Sequence, residues 1–143
     1  MYECSNELVG NSLLSVRLTH CRTRHDFVIT SVYGPCNEGR RADLWQELHG
    51  TRGWAAGPWL IGGYFNVTRY FGERIVSEIH ISGMRGFNDL IRSLSLVEPP
   101  IRIVLTHGQV IGNHLRKLDR FLFSLEWEDQ LTLFSSCFTT YSI

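Results

Sequence analysis

The chain has 143 residues, 43% of them hydrophobic and 20% charged, an ordinary globular balance that suits one modest domain with a core. Its 14 basic and 14 acidic residues cancel, which excludes strong general affinity for nucleic acid through net charge. No apolar run approaches the roughly 18 residues that span a bilayer, and Met1 to Gly10 is polar and acidic, unlike a signal peptide; an intracellular, soluble protein is the expectation.

Leu13 to Thr19 alternates from Leu14 onward. It predicts a half-buried strand with Leu14, Val16 and Leu18 on one face. Cys21 to His25 is a polar, basic turn. Phe27 to Tyr33 is β-branched and aromatic and stops at Gly34-Pro35, so the two strands predict an antiparallel hairpin. Asn37 or Glu38 starts a helix whose stripe is Ala42, Trp45 and Leu48, with Leu44 on its edge and Gly50 or Gly53 at its end. Asp43 and Glu47 fall near its start or on its outer face.

Trp59-Leu60-Ile61 is an apolar run that follows Gly57-Pro58 and ends in Gly62-Gly63. It predicts a buried central strand whose glycines let the backbone pass close to another strand or a ligand. Asn66 lies where that strand runs into a loop, the place where open α/β sheets put their chemistry. Thr68 to Ile81 is irregular and predicts a loop. Ser82 is a fair N-cap, and Met84, Phe87, Leu90, Ile91 and Leu94 follow helical spacing.

Leu96 to Glu98 predicts a short strand ended by Pro99-Pro100, and Ile101 to Thr106 another, with a turn at His107-Gly108. Leu118 to Phe123 places Leu118, Arg120 and Leu122 on one side and Asp119, Phe121 and Phe123 on the other. Ser124 to Asp129 predicts one helical turn with a serine cap, and Gln130 to Tyr141 a last strand. With no repeat or linker, residues 1–143 form a single domain. Strands early, centrally and late, with two helices between them, predict a layered α/β fold with a mixed sheet.

Cys4, Cys21, Cys36 and Cys137 form no Cys-x-x-Cys pair. His20 and His25 flank Cys21, but no zinc spacing results, and four reduced, mostly buried thiols are expected. Asn66-Val67-Thr68 matches a glycosylation triplet that carries no meaning without a secretory signal. Thirteen of the basic residues are arginine and only Lys117 is lysine. Arginine suits bidentate phosphate contacts, and coding bias explains the same count.

Four segments carry a family resemblance. Val32-Tyr33-Gly34-Pro35, the helix Arg41 to Leu48, Trp59 to Asn66, and Leu118-Asp119-Arg120-Phe121-Leu122 with Ser124, Glu126 and Trp127 stand in order over roughly Phe27 to Phe138. Together they resemble the endonuclease domain of plant non-LTR retrotransposons, in the endonuclease/exonuclease/phosphatase superfamily. The resemblance implies a sandwich of mixed, mostly antiparallel sheets with outer helices, here a partial domain incomplete at both ends. It implies Mg²⁺ as the metal and DNA as the partner, with no membrane and no small-molecule cofactor. Phosphodiester hydrolysis then needs a carboxylate-held cation, a base for the attacking water and a donor to the developing phosphate charge.

Three residues match the family's working positions. Tyr33 matches a tyrosine that hydrogen-bonds the phosphate; the alternative is a strand-end aromatic in the core. Asn66 matches an asparagine on the scissile phosphate; the alternative is a turn residue. Asp119 matches an acid that orients the catalytic histidine; the alternative is a surface salt bridge with Arg116 or Arg120. Tyr64 stands at the position of the family's catalytic aspartate, and a phenol, protonated at neutral pH, cannot act there as base or metal ligand. The family's terminal Ser-Asp-His segment and N-terminal metal-binding glutamate have no counterpart; Glu3 and Glu7 sit in no recognisable context. His107 and His114 form a loop pair that a metal or a proton transfer would suit.

The expectation is a degenerate fragment of a Mg²⁺-dependent retrotransposon DNA endonuclease, catalytically inactive. The alternative is a non-catalytic domain of the same fold that binds nucleic acid or protein, with Arg40, Arg41, Arg69, Arg74, Arg116 and Arg120 as a phosphate-contacting face. A translated relic without function is a third reading.

Overall fold

The computed structural model describes residues 1–70, 81–99 and 119–127. In chain order the elements are β1 (Tyr2–Val9), β2 (Leu13–His20), β3 (Asp26–Tyr33), α1 (Glu38–Trp54), β4 (Trp59–Tyr64), α2 (Ile81–Ser93), β5 (Leu96–Val97) and β6 (Asp119–Ser124). The strands form one mixed sheet in the order β1-β2-β3-β4-β6-β5. Among the described strands only β3 and β4 run parallel, with α1 as the crossover; the other pairs are antiparallel. The layered α/β architecture is therefore as expected. Several expected features lie outside the described residues: the strands at Ile101–Thr106 and Gln130–Tyr141, the His107 and His114 pair, Cys137, Arg74 and Arg116. Among the described residues no helix is long and apolar enough to cross a membrane.

The core lies between one sheet face and the helices. Val28, Val32, Trp59, Ile61 and Leu122 meet Leu44, Leu48, Phe87, Leu90 and Ile91. On β2, the buried positions are Leu13, Ser15 and Thr19, while Leu14 is 45% exposed and Val16 and Leu18 are half-buried. The hydrophobic alternation thus marked the wrong face. Hydroxyl pairing explains the reversal. Ser15 Oγ lies 2.7 Å from Thr30 Oγ1, which accepts from Trp59 Nε1 at 2.8 Å. Satisfied hydroxyls enter a core at little penalty. β1 was not expected at all. It is an exposed edge strand with a register shift between Cys4 and Asn6, so it lacks apolar alternation and is held by the backbone ladder.

Asn37 caps α1, its Oδ1 accepting from Gly39 N at 2.8 Å and Arg40 N at 3.3 Å. The buried stripe is Arg41, Leu44, Leu48 and Thr51, with Trp45 at its edge and Ala42 exposed. Gly50 and Gly53 do not end the helix; it runs to Trp54, and Ala55 N–H closes on Thr51 O. Glu47 accepts from Asn11 N and Ser12 N at 3.1 and 3.3 Å, bracing the β1–β2 turn. α2 buries Met84, Phe87, Leu90 and Ile91 as expected, although it already includes Ile81, which places Ser82 inside the first turn.

Ser124 Oγ accepts from Trp59 N at 3.0 Å, so the hydroxyl expected to cap a helical turn also ties β6 to the start of β4. Cys4 and Cys36 are exposed and Cys21 half-buried, contrary to the expectation of mostly buried thiols. Cys4 lies on the exposed edge strand β1, and Cys21 and Cys36 lie in the connections that follow β2 and β3.

Candidate functional site

Register gathers three of the candidate residues. β3 and β4 stop side by side, and antiparallel β6 begins beside them. Tyr33 pairs with Tyr64, and Tyr64 with Asp119. Residues in register share a sheet face. The preceding row, Val32, Gly63 and Arg120, faces the helices, so Tyr33, Tyr64 and Asp119 form a row on the opposite face.

Glycines allow the strands to meet this closely. Gly63 has φ +134, and a Cβ there would lie 2.1 Å from Val32 O. Only glycine fits that conformation and that gap. Gly34 N–H donates to Tyr64 O at 2.5 Å, and a Cβ on Gly34 would sit 2.3 Å from Phe65 O. The Val-Tyr-Gly-Pro turn is thereby locked against the end of β4.

The side chains are linked in sequence. The Tyr33 and Tyr64 rings stack with centroids 5.7 Å apart and planes 29° apart. Tyr64 OH donates to Asn66 Oδ1 at 3.2 Å. Asn66 adopts φ 55, a left-handed conformation that asparagine tolerates better than most residues. Its carbonyl accepts from Arg41 Nη1 at 3.2 Å, and the same nitrogen donates to Cys36 O at 3.2 Å. Arg41 is 5% exposed, and its buried Nε has no hydrogen-bond partner. It has no carboxylate partner among the described residues. This buried guanidinium beneath the site was foreseen only as one of six surface arginines; its helical spacing with Leu44 and Leu48 was the available signal.

Among the described residues the expected arginine face is reduced to Arg40, which is exposed, and Arg69, which is half-buried. Arg41 and Arg120 are buried. Arg120 and Arg69 each reach Glu98 at 2.7 Å, which joins β6 to the segment after β4. Asp119 is exposed, and the neighbouring Arg120 points to the other face, so the Asp119–Arg120 bridge is absent. Tyr33 is 76% exposed and is no core aromatic.

Mg²⁺ sites use carboxylates, waters and substrate phosphates in near-octahedral geometry. The row offers one carboxylate, Asp119, and Asn66 Oδ1 already accepts from Tyr64. Among the described residues no three His, Cys, Asp or Glu gather closely enough to hold a metal ion. The described residues therefore do not make a preformed Mg²⁺ site.

No protein-family model and no curated protein matches the chain. Solved structures do. The endonuclease domain of TRAS1, a telomere-specific non-LTR retrotransposon, aligns with TM-score 0.65 and 13% identity, over 90% of this chain and 58% of that one. NExo, a 3′ phosphatase from Neisseria bound to a product DNA hairpin, aligns with TM-score 0.60 and 14% identity, over 87% and 60%. The human Nocturnin catalytic domain aligns with TM-score 0.51 and 19% identity, over 87% and 48%. The chain thus spans about half to three-fifths of these structures. At such identities the likeness shows the fold: the chain has the α/β fold of endonuclease/exonuclease/phosphatase domains.

Proposed function

We propose that this chain is a retrotransposon-type DNA endonuclease domain in which Mg²⁺-dependent phosphodiester hydrolysis has been lost. The observation that carries the reading is Tyr64. It stands at the centre of the row between Tyr33 and Asp119, where the resemblance calls for an aspartate. Its hydroxyl is spent on Asn66, and its ring fills the space against Tyr33. The site keeps the expected phosphate-side residues Tyr33 and Asn66 and has Tyr64 in place of the carboxylate that would handle the attacking water. Losing one member of such a set typically lowers the rate by orders of magnitude.

Nicking of supercoiled plasmid in Mg²⁺ tests this, with an EDTA control beside it. The native chain is expected to leave the plasmid intact. EDTA-sensitive nicking by the native chain would overturn the proposal, and nicking gained by Tyr64→Asp would assign the loss to this position. A non-catalytic, nucleic-acid-binding role is favoured by one specific observation, the open stack of Tyr33 on Tyr64.

A further inference from the structure

Tyr33 lays one ring face on Tyr64 and is still 76% exposed, so its outer face is open to solvent. Tyrosines stack well on nucleobases, whose π-faces are all alike to a ring. The stack is also held in place from behind. The Tyr64 hydroxyl is bound by Asn66, whose carbonyl is bound by Arg41. A platform fixed before binding loses little entropy on binding. Asp119, the acid in the row, opposes the phosphates that flank a seated base.

We infer that the Tyr33–Tyr64 stack is a seat for an unpaired base of single-stranded DNA, with the Tyr33 ring as the stacking surface. The choice of DNA rests on the endonuclease-type reading above; the stacking does not. This use of Tyr33 depends on its ring, whereas a phosphate contact depends on its hydroxyl, and the two separate experimentally.

The test is fluorescence anisotropy of a labelled short oligodeoxynucleotide titrated with the full chain. The same length is offered as an abasic strand, as a duplex and as an oligoribonucleotide. The single strand is expected to bind more tightly than the abasic strand. Tyr33→Leu should weaken single-strand binding roughly 5- to 100-fold, the loss of one base–aromatic stack. Tyr33→Phe should keep it, and Asp119→Asn should strengthen it. Thermal melts of the exposed-site variants are expected to match the native chain.

Absence of single-strand binding, equal binding of the abasic strand, or an unaffected Tyr33→Leu overturns the inference. Equal loss in Tyr33→Phe and Tyr33→Leu overturns it as well, because the hydroxyl would then be the contact. Duplex binding without single-strand preference, unmoved by Tyr33→Leu, sinks the stacking and leaves the endonuclease-type reading standing. Binding of the oligoribonucleotide alone overturns the assignment to DNA.

Discussion

Gly63 and Gly50 show how far one residue type can differ in consequence. Gly63 combines φ +134 with a gap that a methyl group would close to 2.1 Å from Val32 O. Gly63→Ala must therefore strain the backbone and spread β3 from β4, at about 2–3 kcal/mol or more. Because Tyr33 and Tyr64 stand one residue on, single-strand DNA affinity should fall with it. Gly50 lies inside α1, and a Cβ there meets nothing within 4 Å. Gly50→Ala should stabilise the chain by about 0.5–1 kcal/mol through helix propensity. Urea unfolding of both variants measures the contrast; a neutral Gly63→Ala would contradict the close packing. The Gly62-Gly63 approach was legible because an apolar run ended there in two glycines. Gly50 and Gly53 misled because sequence alone does not separate a terminating glycine from one lying on an open helical face.

Elements with one clean period were legible, as α2 and β3 show. β2 was not, because its buried face carries Ser15 and Thr19, and the partner that makes Ser15 burial acceptable is Thr30 on the next strand. The candidate row was legible through resemblance, since nothing in the spacing brings Tyr33, Tyr64 and Asp119 together. The ties between elements were not legible at all. Glu98, just after β5, accepts from Arg69 and Arg120 and is nearly buried. Glu98→Gln should destabilise by on the order of 3 kcal/mol, as expected when a buried pair loses one partner. Glu126 makes the contrasting case. Burial opposes its ionisation, but hydrogen bonds from its own backbone and from Ser124, with the Arg52 charge, outweigh this and hold its carboxyl below the ordinary 4.5. A lowered folded value gives stability that is present above 4.5 and lost as pH falls through the folded value. The pair is exposed and screened, so Glu126→Gln should cost less than about 1 kcal/mol, and only above that window. Urea midpoints at neutral and acid pH compare the two.

The distribution of charge across the fold decides how any DNA would be held. Arg41 and Arg120 are buried, while Arg69 and Arg52 are committed to Glu98 and Glu126. Arg22 and Arg24 are exposed in the β2–β3 turn, at the start of β3, whereas Tyr33 is at its end. Eight residues of strand separate those ends by about 25 Å. Arg92 is paired with Asp89 on the outside of α2. Among the described residues, Arg40 in the first turn of α1 is the exposed arginine that follows directly on the Tyr33 strand end. A single strand seated on Tyr33 should therefore neutralise one or two phosphates. Each contact contributes about −0.7 to the slope of log affinity against log salt. The expected slope is about −1, and Arg40→Gln should flatten it by about 0.7 while leaving the Tyr33→Leu effect intact. Titrations between low and physiological salt give this directly. A slope of −4 or steeper would mean that an extended basic face holds the strand, and that stacking on Tyr33 is not what sets the affinity.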